Sequence, residues 1–238
     1  MPTRLGGLLA RATRGTTGLV QVNSTAVGEW LMASGVPASR LSLAYPSAPP
    51  HRPSAPRPKD GTVQVGLLGR VNGSKGHLEA VRLVEAARRL PGVDIRLTTA
   101  GSPFPGQERH LEALRSRFDG LPFACHLGEV RDVRAVLEQM DLLLVWSQKP
   151  ESFGITALEA WATGRRCVSN GAGGAAEAAW LVDGVVLHQD LNVQVAEALA
   201  WVVQQPTLIG PPSASAPASV LATPERRAAS WQDLLMSV

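Results

Sequence analysis

Two glutamates stand eight positions apart in the mostly apolar stretch PESFGITALEAW, residues 150–161. They are Glu151, in a predicted loop, and Glu159, in a helix predicted to begin near Gly154. Both are either solvated surface charges or acids that a turn and a helix present to a ligand. A glycine lets the backbone approach a ligand closely, and the first free N–H groups of a helix favour an anion. The stretch therefore has the chemistry of an anion-binding turn flanked by two acids.

Glu159 also has a purely structural explanation. Thr156 and Glu159 have the spacing of a capping box, and a glutamate in the first turn stabilises a helix without any ligand. Glu151 has no comparable explanation, because it lies in a loop. On the residues alone, Glu151 is the stronger candidate for a functional acid.

Two cations occur in the stretch GRVNGSKG, residues 69–76, which follows a predicted strand. Arg70 and Lys75 on a glycine-rich turn are suited to hold a phosphate or diphosphate. The stretch is not a Walker loop, because no Gly-Lys-Ser/Thr stands at the required distance from an upstream glycine. Two solvated cations in a turn are the alternative.

A third stretch, NGAGGAAEAAW at residues 170–180, resembles a dinucleotide fingerprint with the wrong spacing. Gly173 and Gly174 are better explained as an anion-facing turn after a strand. Glu177 would then open the next short helix.

Other kinds of site are not supported. The five histidines, at positions 51, 77, 110, 126 and 188, have no metal-ligand spacing, and we expect no metal. Ser152 lacks the Gly-x-Ser-x-Gly context of a nucleophile elbow.

Composition excludes further classes. The net charge is only +3, and no basic tract with interleaved aromatics occurs, so nucleic-acid binding is not expected. No apolar run approaches the roughly 20 residues that span a bilayer. The N-terminus reads as mature chain rather than a signal peptide. Cys125 and Cys167 lie apart in apolar segments and predict two buried thiols, so we expect a cytoplasmic protein.

The elements that position these loops follow from hydrophobic periodicity. Strands are predicted at residues 63–68, 93–99, 123–127, 141–146 and 167–169. Helices are predicted at residues 76–90, 107–118, 133–140, from 154, near 177 and at 193–204. Strand–helix alternation with continuous apolar strands indicates an α/β fold, a doubly wound parallel sheet covered on both faces. Ligands bind such sheets beyond the carboxyl ends of the strands, where all three loops lie.

The flanking segments are less regular. Residues 18–22 predict a strand and residues 26–33 a helix, but this N-terminal stub is too short to make its own sheet. A strand without neighbours exposes unpaired backbone groups, so we expect a partner chain or a second copy to cover it. A proline-rich linker at 46–61 precedes the domain at 62–205. A loop at 206–223 and a terminal helix at 224–238 follow it.

Together the three motifs resemble the donor-binding half of a retaining glycosyltransferase of family 4. The resemblance rests on Gly69-Arg70-x4-Lys75-Gly76, on Glu151-x7-Glu159 and on Gly173-Gly174-x2-Glu177. It covers residues 62–205 and implies a GT-B fold, which pairs two Rossmann-like domains. Residues 1–45 resemble only the end of the family's N-terminal acceptor domain, so the resemblance implies that most of that domain is missing.

The resemblance also implies roles for particular residues. The donor is a nucleotide-diphosphate sugar, and no cofactor or metal is implied. Arg70 and Lys75 would hold the diphosphate and offset charge on the leaving nucleotide. Glu159 would bind the ribose, and Glu151 would face the sugar. The remaining substrate-binding positions are Gly69, Phe153, Gly154, Ile155, Thr156, Gly173 and Gly174.

Three functions stay open. The chain is the donor half of a transferase that needs an acceptor domain, or a non-catalytic nucleotide-sugar-binding module or inactive remnant. A sugar-nucleotide epimerase shares the architecture, but the Glu-x7-Glu pattern with this Arg/Lys loop favours a transferase. The family's small or proline residues after EAWATG are here Arg165 and Arg166. The base, the sugar and the acceptor are not encoded in a readable motif.

Overall fold

The computed structural model describes residues 18–57, 60–187, 193–209, 211–223 and 225–226. Its main feature is a parallel sheet of six strands in the order β5-β4-β3-β6-β7-β8. The strands are β3 (Val63–Leu68), β4 (Ile95–Ala100), β5 (Ala124–His126), β6 (Leu142–Val145), β7 (Arg166–Ser169) and β8 (Val185–Val186). The predicted α/β fold with a doubly wound parallel sheet is confirmed.

Helices cover both faces of this sheet. They are α2 (His77–Ala87), α3 (Arg109–Phe118), α4 (Val133–Glu138), α5 (Ile155–Ala162), α6 (Ala175–Leu181) and α7 (Val193–Gln204). Because side chains alternate along a strand, Leu142 and Leu144 of β6 join the core under α2 and α7, whereas Leu143 and Val145 join the core under α5 and α6. A strand that is apolar at every position is therefore buried on both sides.

The N-terminal stub forms a small unit of its own. Strand β1 (Val20–Val22) pairs in parallel with β2 (Leu41–Leu43), and helix α1 (Thr25–Ala33) connects them. The expectation that this strand lacks a neighbour is wrong. The sequence shows β2 poorly, since it has only three residues and follows the one-turn helix Ala38–Arg40.

The proline-rich segment lies along the domain. The backbone N–H groups of Arg52 and Ser54 donate to Ala162 and Thr163 at the end of α5. The buried guanidinium of Arg165 donates to Ser54 Oγ and to the carbonyl of Ala55, each at 3.0 Å. The unexpected arginine therefore fastens this segment to the sheet domain.

Two other expectations need correction. Cys125 is exposed and only Cys167 is buried, although both are free thiols. Cys125 lies in β5, the edge strand, where one face has less cover. Helix α8 (Ala218–Leu221) interrupts the segment 206–223 predicted as a loop. The predicted terminal helix at 224–238 lies almost wholly outside the described residues.

Candidate functional site

A cleft of about 330 Å³ opens at the carboxyl edge of the large sheet. Strands β3, β4 and β5 end there, and helix α5 begins there. Strand β3 lies between β4 and β6, so the strand order reverses at this point, where sheets of this type bind ligands. The lining residues are Leu68, Gly69, Arg70, Ala100, Gly101, Ser102, Glu129, Val130, Val133, Ile155, Thr156 and Glu159.

The first loop places its two cations differently. Arg70 lines the cleft with an exposed side chain, and its Nη1 donates to Ser102 Oγ at 3.1 Å. The Lys75 ammonium instead lies 2.7 Å from Glu151 Oε2. Arg70 is thus oriented at the cleft, whereas Lys75 is held by an acid of the second loop.

Both carboxylate oxygens of Glu151 accept hydrogen bonds. Its Oε1 accepts from Ser147 Oγ and its Oε2 from Lys75, and its side chain is 12% exposed. Its backbone pairs with the third loop, since Gly174 N–H donates to the Glu151 carbonyl at 2.8 Å. A Cβ on Gly173 would meet that carbonyl oxygen at 2.6 Å. The two glycines therefore permit close backbone contact between two loops, and Glu151 lies where three loops meet.

Helix α5 begins with Gly154, which adopts a φ of +98°, a conformation that side chains disfavour. Its first two residues, Ile155 and Thr156, line the cleft, so the N-terminus of the helix lies at the cleft. The Phe153 side chain is buried under the Tyr45 ring, so only its backbone can serve a ligand. The predicted capping box is wrong, because Gly154 is the N-cap and no side chain caps the helix.

Glu159 therefore lies in the second turn of α5, too far along for the stabilising effect of a first-turn acid. It is half-buried at the cleft, and none of the described residues pairs with its carboxylate. Burial raises the pKa of this carboxyl group. A half-buried acid without a partner is unfavourable for the fold, which is typical of a residue kept for a ligand.

Several residues escaped the sequence interpretation. Ser102, Glu129 and Val130 line the cleft from loops after β4 and β5 that carry no motif. Glu177 lies away from the cleft. Its Oε2 accepts from Thr25 N–H and Oγ1, and its Oε1 accepts from the Tyr45 hydroxyl. These contacts span more than 130 positions, so no local pattern could have indicated them.

The described residues contain no cluster of three or more His, Cys, Asp or Glu side chains suited to a metal ion. Among the same residues, no helix is long and apolar enough to cross a membrane.

Solved structures share this fold. HepE from Anabaena, in complex with UDP and glucose, matches with a TM-score of 0.70 at 20% identity, over 96% of this chain and 62% of HepE. Sucrose-phosphate synthase from Thermosynechococcus elongatus matches with a TM-score of 0.72 at 19% identity, over 97% of this chain and 60% of the synthase. TarM from S. aureus, in a complex that contains UDP, matches with a TM-score of 0.73 at 14% identity, over 98% and 46% of the two chains. The chain thus spans less than two thirds of the length of each.

The sequence has no significant match among curated proteins. The sequence model of the family described as Glycosyl transferases group 1 matches residues 62–205, which is more than half of the chain and includes every element of the large sheet. With its Rossmann-like sheet and its cleft at the carboxyl edge, the chain belongs to the group 1 glycosyltransferases.

Proposed function

We propose that this chain is the donor-binding part of a retaining, family 4-like hexosyltransferase and that it binds a nucleotide-diphosphate sugar in the cleft. One observation carries the proposal. Arg70, the N-terminus of α5 and the unpaired acid Glu159 line the same cavity. A cation and helix N–H groups suit a diphosphate, and a carboxylate suits the hydroxyl pair of a ribose.

The nucleotide is proposed to be UDP or a close relative. HepE was solved with UDP, with UDP-glucose and with UDP plus glucose. In this chain the proposed donor cleft lies at the carboxyl edge of the large sheet, with Arg70 as the cation of its lining. Glu159 would hold the ribose, and the backbone of Gly69 and of residues 153–156 would meet the phosphates.

The reaction would move a hexosyl group with retention at the anomeric carbon. The bond between that carbon and the diphosphate oxygen breaks, and a bond to an acceptor hydroxyl oxygen forms on the same face. The nucleotide diphosphate leaves with the bonding electrons, and the proton of the acceptor hydroxyl passes to the departing diphosphate oxygen. Arg70 and Lys75 would stabilise the charge on the departing diphosphate, so no metal ion or cofactor is needed. Glu151 would face the sugar.

Lys75 must change partner for this role. In the structure it pairs with Glu151, and the exposed fractions of the Lys75 and Glu151 side chains are 35% and 12%. A diphosphate carries more charge than one carboxylate and would draw the ammonium toward the cleft. Glu151 would then be released to accept a sugar hydroxyl.

A non-catalytic nucleotide-sugar-binding module is the second candidate. It is favoured by the contacts of the Glu151 carboxylate, because Lys75 and Ser147 each already donate to one of its oxygens. Acceptor binding and exclusion of water both require a surface facing the donor site. We propose that further polypeptide, in this chain or a partner chain, supplies that surface.

The free thiols Cys125 and Cys167 suit the reducing cytoplasm proposed as the compartment.

The test is a thermal-shift panel of the purified chain with UDP-, GDP- and ADP-sugars. A ligand at about 100 times its dissociation constant stabilises by ~2.7 kcal/mol, or roughly 5–10 °C for a chain of this size. Arg70→Ala should lose most of the shift, whereas Arg82→Ala, an exposed arginine on α2, should keep it. Wild-type protein that is folded and shifts with none of the donors would refute the proposal.

A further inference from the structure

We propose that Phe104 is a positioning residue for the diphosphate, because it fixes the direction of Arg70. This inference rests on the proposed donor site. The Arg70 guanidinium carbon lies 4.8 Å from the centroid of the Phe104 ring. The ring is 44% exposed, so burial in the core does not account for its place. A guanidinium stacked on a ring face is a favourable cation–π arrangement.

The stacking leaves the binding edge of Arg70 free. A guanidinium covers an aromatic ring with its flat face, while its N–H groups point outward in the plane. One of them, on Nη1, donates to Ser102 Oγ at 3.1 Å. Phe104 and Ser102 thus both contact the guanidinium, and its other N–H groups are available to phosphate oxygens at the cleft that Arg70 lines.

The loop that carries Phe104 is itself restrained. Proline flanks the ring on both sides, at positions 103 and 105, which fixes the backbone φ angle next to it. The Phe104 carbonyl accepts from Gln107 N–H at 2.9 Å. The ring is therefore presented by a stiff turn rather than by a long flexible loop.

This turn is also tied to the loop of Arg70. Gly69 N–H donates to the Ala100 carbonyl at 3.0 Å, and Val71 N–H donates to the Ser102 carbonyl at 3.1 Å. The backbones touch so closely that a Cβ on Gly101 would meet the Gly69 carbonyl oxygen at 1.8 Å. The loops that carry Arg70 and Phe104 are thus joined by backbone hydrogen bonds and close contact. Because the Arg70 side chain is ordered before the ligand binds, binding loses less side-chain conformational entropy.

The experiment measures UDP affinity by calorimetry for wild type and for Phe104→Leu, Phe104→Tyr and Arg70→Ala. Phe104→Leu should weaken binding roughly two- to fivefold, the range for a partly exposed cation–π contact. Phe104→Tyr should restore wild-type affinity, because it keeps the ring face. In the Arg70→Ala background, Phe104→Leu should have no further effect. Trp201→Leu, which removes an aromatic side chain that is 57% exposed on α7, serves as the control and should leave affinity unchanged.

A purely structural role predicts a different pattern. Phe104→Leu would then act equally with and without Arg70, and that result would overturn the inference. Equal affinity of wild type and Phe104→Leu for UDP would also overturn this inference, but it would not contradict the proposed donor site. Absence of binding of UDP, GDP and ADP to the folded wild type would instead overturn the proposed function, and this inference with it.

Discussion

Lys75, just before α2, and Glu151, in the loop after β6, form an ion pair with 2.7 Å between Nζ and Oε2. The pair joins two motifs that lie 76 positions apart in the chain. It explains why Lys75 does not line the cleft with Arg70, and it makes Glu151 a competitor of any anion that binds there.

The pair predicts opposite effects for its two members. Lys75→Ala should weaken binding of a nucleotide diphosphate by about 1.5–3 kcal/mol, the range for a charged hydrogen bond. Glu151→Gln should tighten binding of UDP by up to about 1 kcal/mol, since the lysine is then free and the pair is partly exposed. Calorimetric titration of UDP into each variant measures both. Weaker UDP binding by Glu151→Gln would contradict the competition.

Glu159 has a prediction that separates ligand binding from stability. Glu159→Ala should weaken nucleotide binding by about 1.5–3 kcal/mol and leave the free energy of unfolding unchanged or higher, because a half-buried acid without a partner is lost. Titration of UDP and denaturant unfolding supply the two values. Glu197→Ala on α7, an exposed acid far along the chain, is the matched control. If Glu159→Ala lowers the free energy of unfolding but leaves the affinity for UDP unchanged, Glu159 has a structural role and does not bind the nucleotide.

Much of this architecture was predictable from sequence, because strands buried on both faces are continuous apolar runs. Strand β3 has the predicted limits, 63–68, and α7 has the predicted limits, 193–204. The start of α5 was also predictable, since the helix expected near Gly154 begins at Ile155. The Thr156/Glu159 spacing imitates a capping box, but such a box needs its N-cap at Thr156, whereas the observed N-cap is Gly154, two residues earlier.

The site was predictable only where a motif carried it. The sequence indicated Gly69, Arg70, Ile155, Thr156 and Glu159 as candidates, and the structure brings these five to one cleft. The cleft wall formed by Ser102 and Glu129 depends on the order of the strands, which places β4 and β5 beside β3. That order comes from tertiary packing, so short motifs do not reveal it.

His77 predicts how stability depends on pH. It is buried at the start of α2, and desolvation is the main reason that its pKa is lowered to about 4. The unfolded chain, with an ordinary histidine pKa near ~6.5, binds the proton more tightly than the folded chain between those two values. Stability is therefore complete above that ordinary pKa and falls as the pH drops toward 4.

The expected loss from His77 between pH 7.5 and 4.5 is roughly 2 kcal/mol, at ~1.36 kcal/mol per pKa unit. His126, whose pKa is also lowered by burial, acts in the same direction. Denaturant unfolding at the two pH values measures the loss in wild type and in His77→Gln. The variant should lose about 2 kcal/mol less than wild type over this range, and an equal loss in both would contradict the assignment.

Glu177 and Tyr45 predict how firmly the N-terminal unit is attached. The Tyr45 hydroxyl donates to Glu177 Oε1 at 2.6 Å, and Thr25 at the start of α1 donates twice to the other oxygen. Desolvation, then the hydrogen bond and the charge of Glu177, raise the pKa of Tyr45, so the hydroxyl keeps its proton at neutral pH. The carboxylate thus binds the N-terminal unit to α6 through three hydrogen bonds.

Tyr45→Phe removes one of these bonds and keeps the ring that packs on Phe153, so it should lower the free energy of unfolding by about 1–2 kcal/mol. Glu177→Ala removes all three bonds and should lower the free energy of unfolding by more, roughly 2–4 kcal/mol. The reason is that Thr25 N–H, the Thr25 hydroxyl and the Tyr45 hydroxyl all lose their acceptor. In Glu177→Ala, the added change Tyr45→Phe should lower the free energy of unfolding by less than it does in wild type. Hydrogen exchange of α1 provides the local measurement, since its amides should exchange faster in Glu177→Ala while those of β6 do not. Unchanged exchange in α1 would mean that its apolar contacts alone hold the N-terminal unit in place.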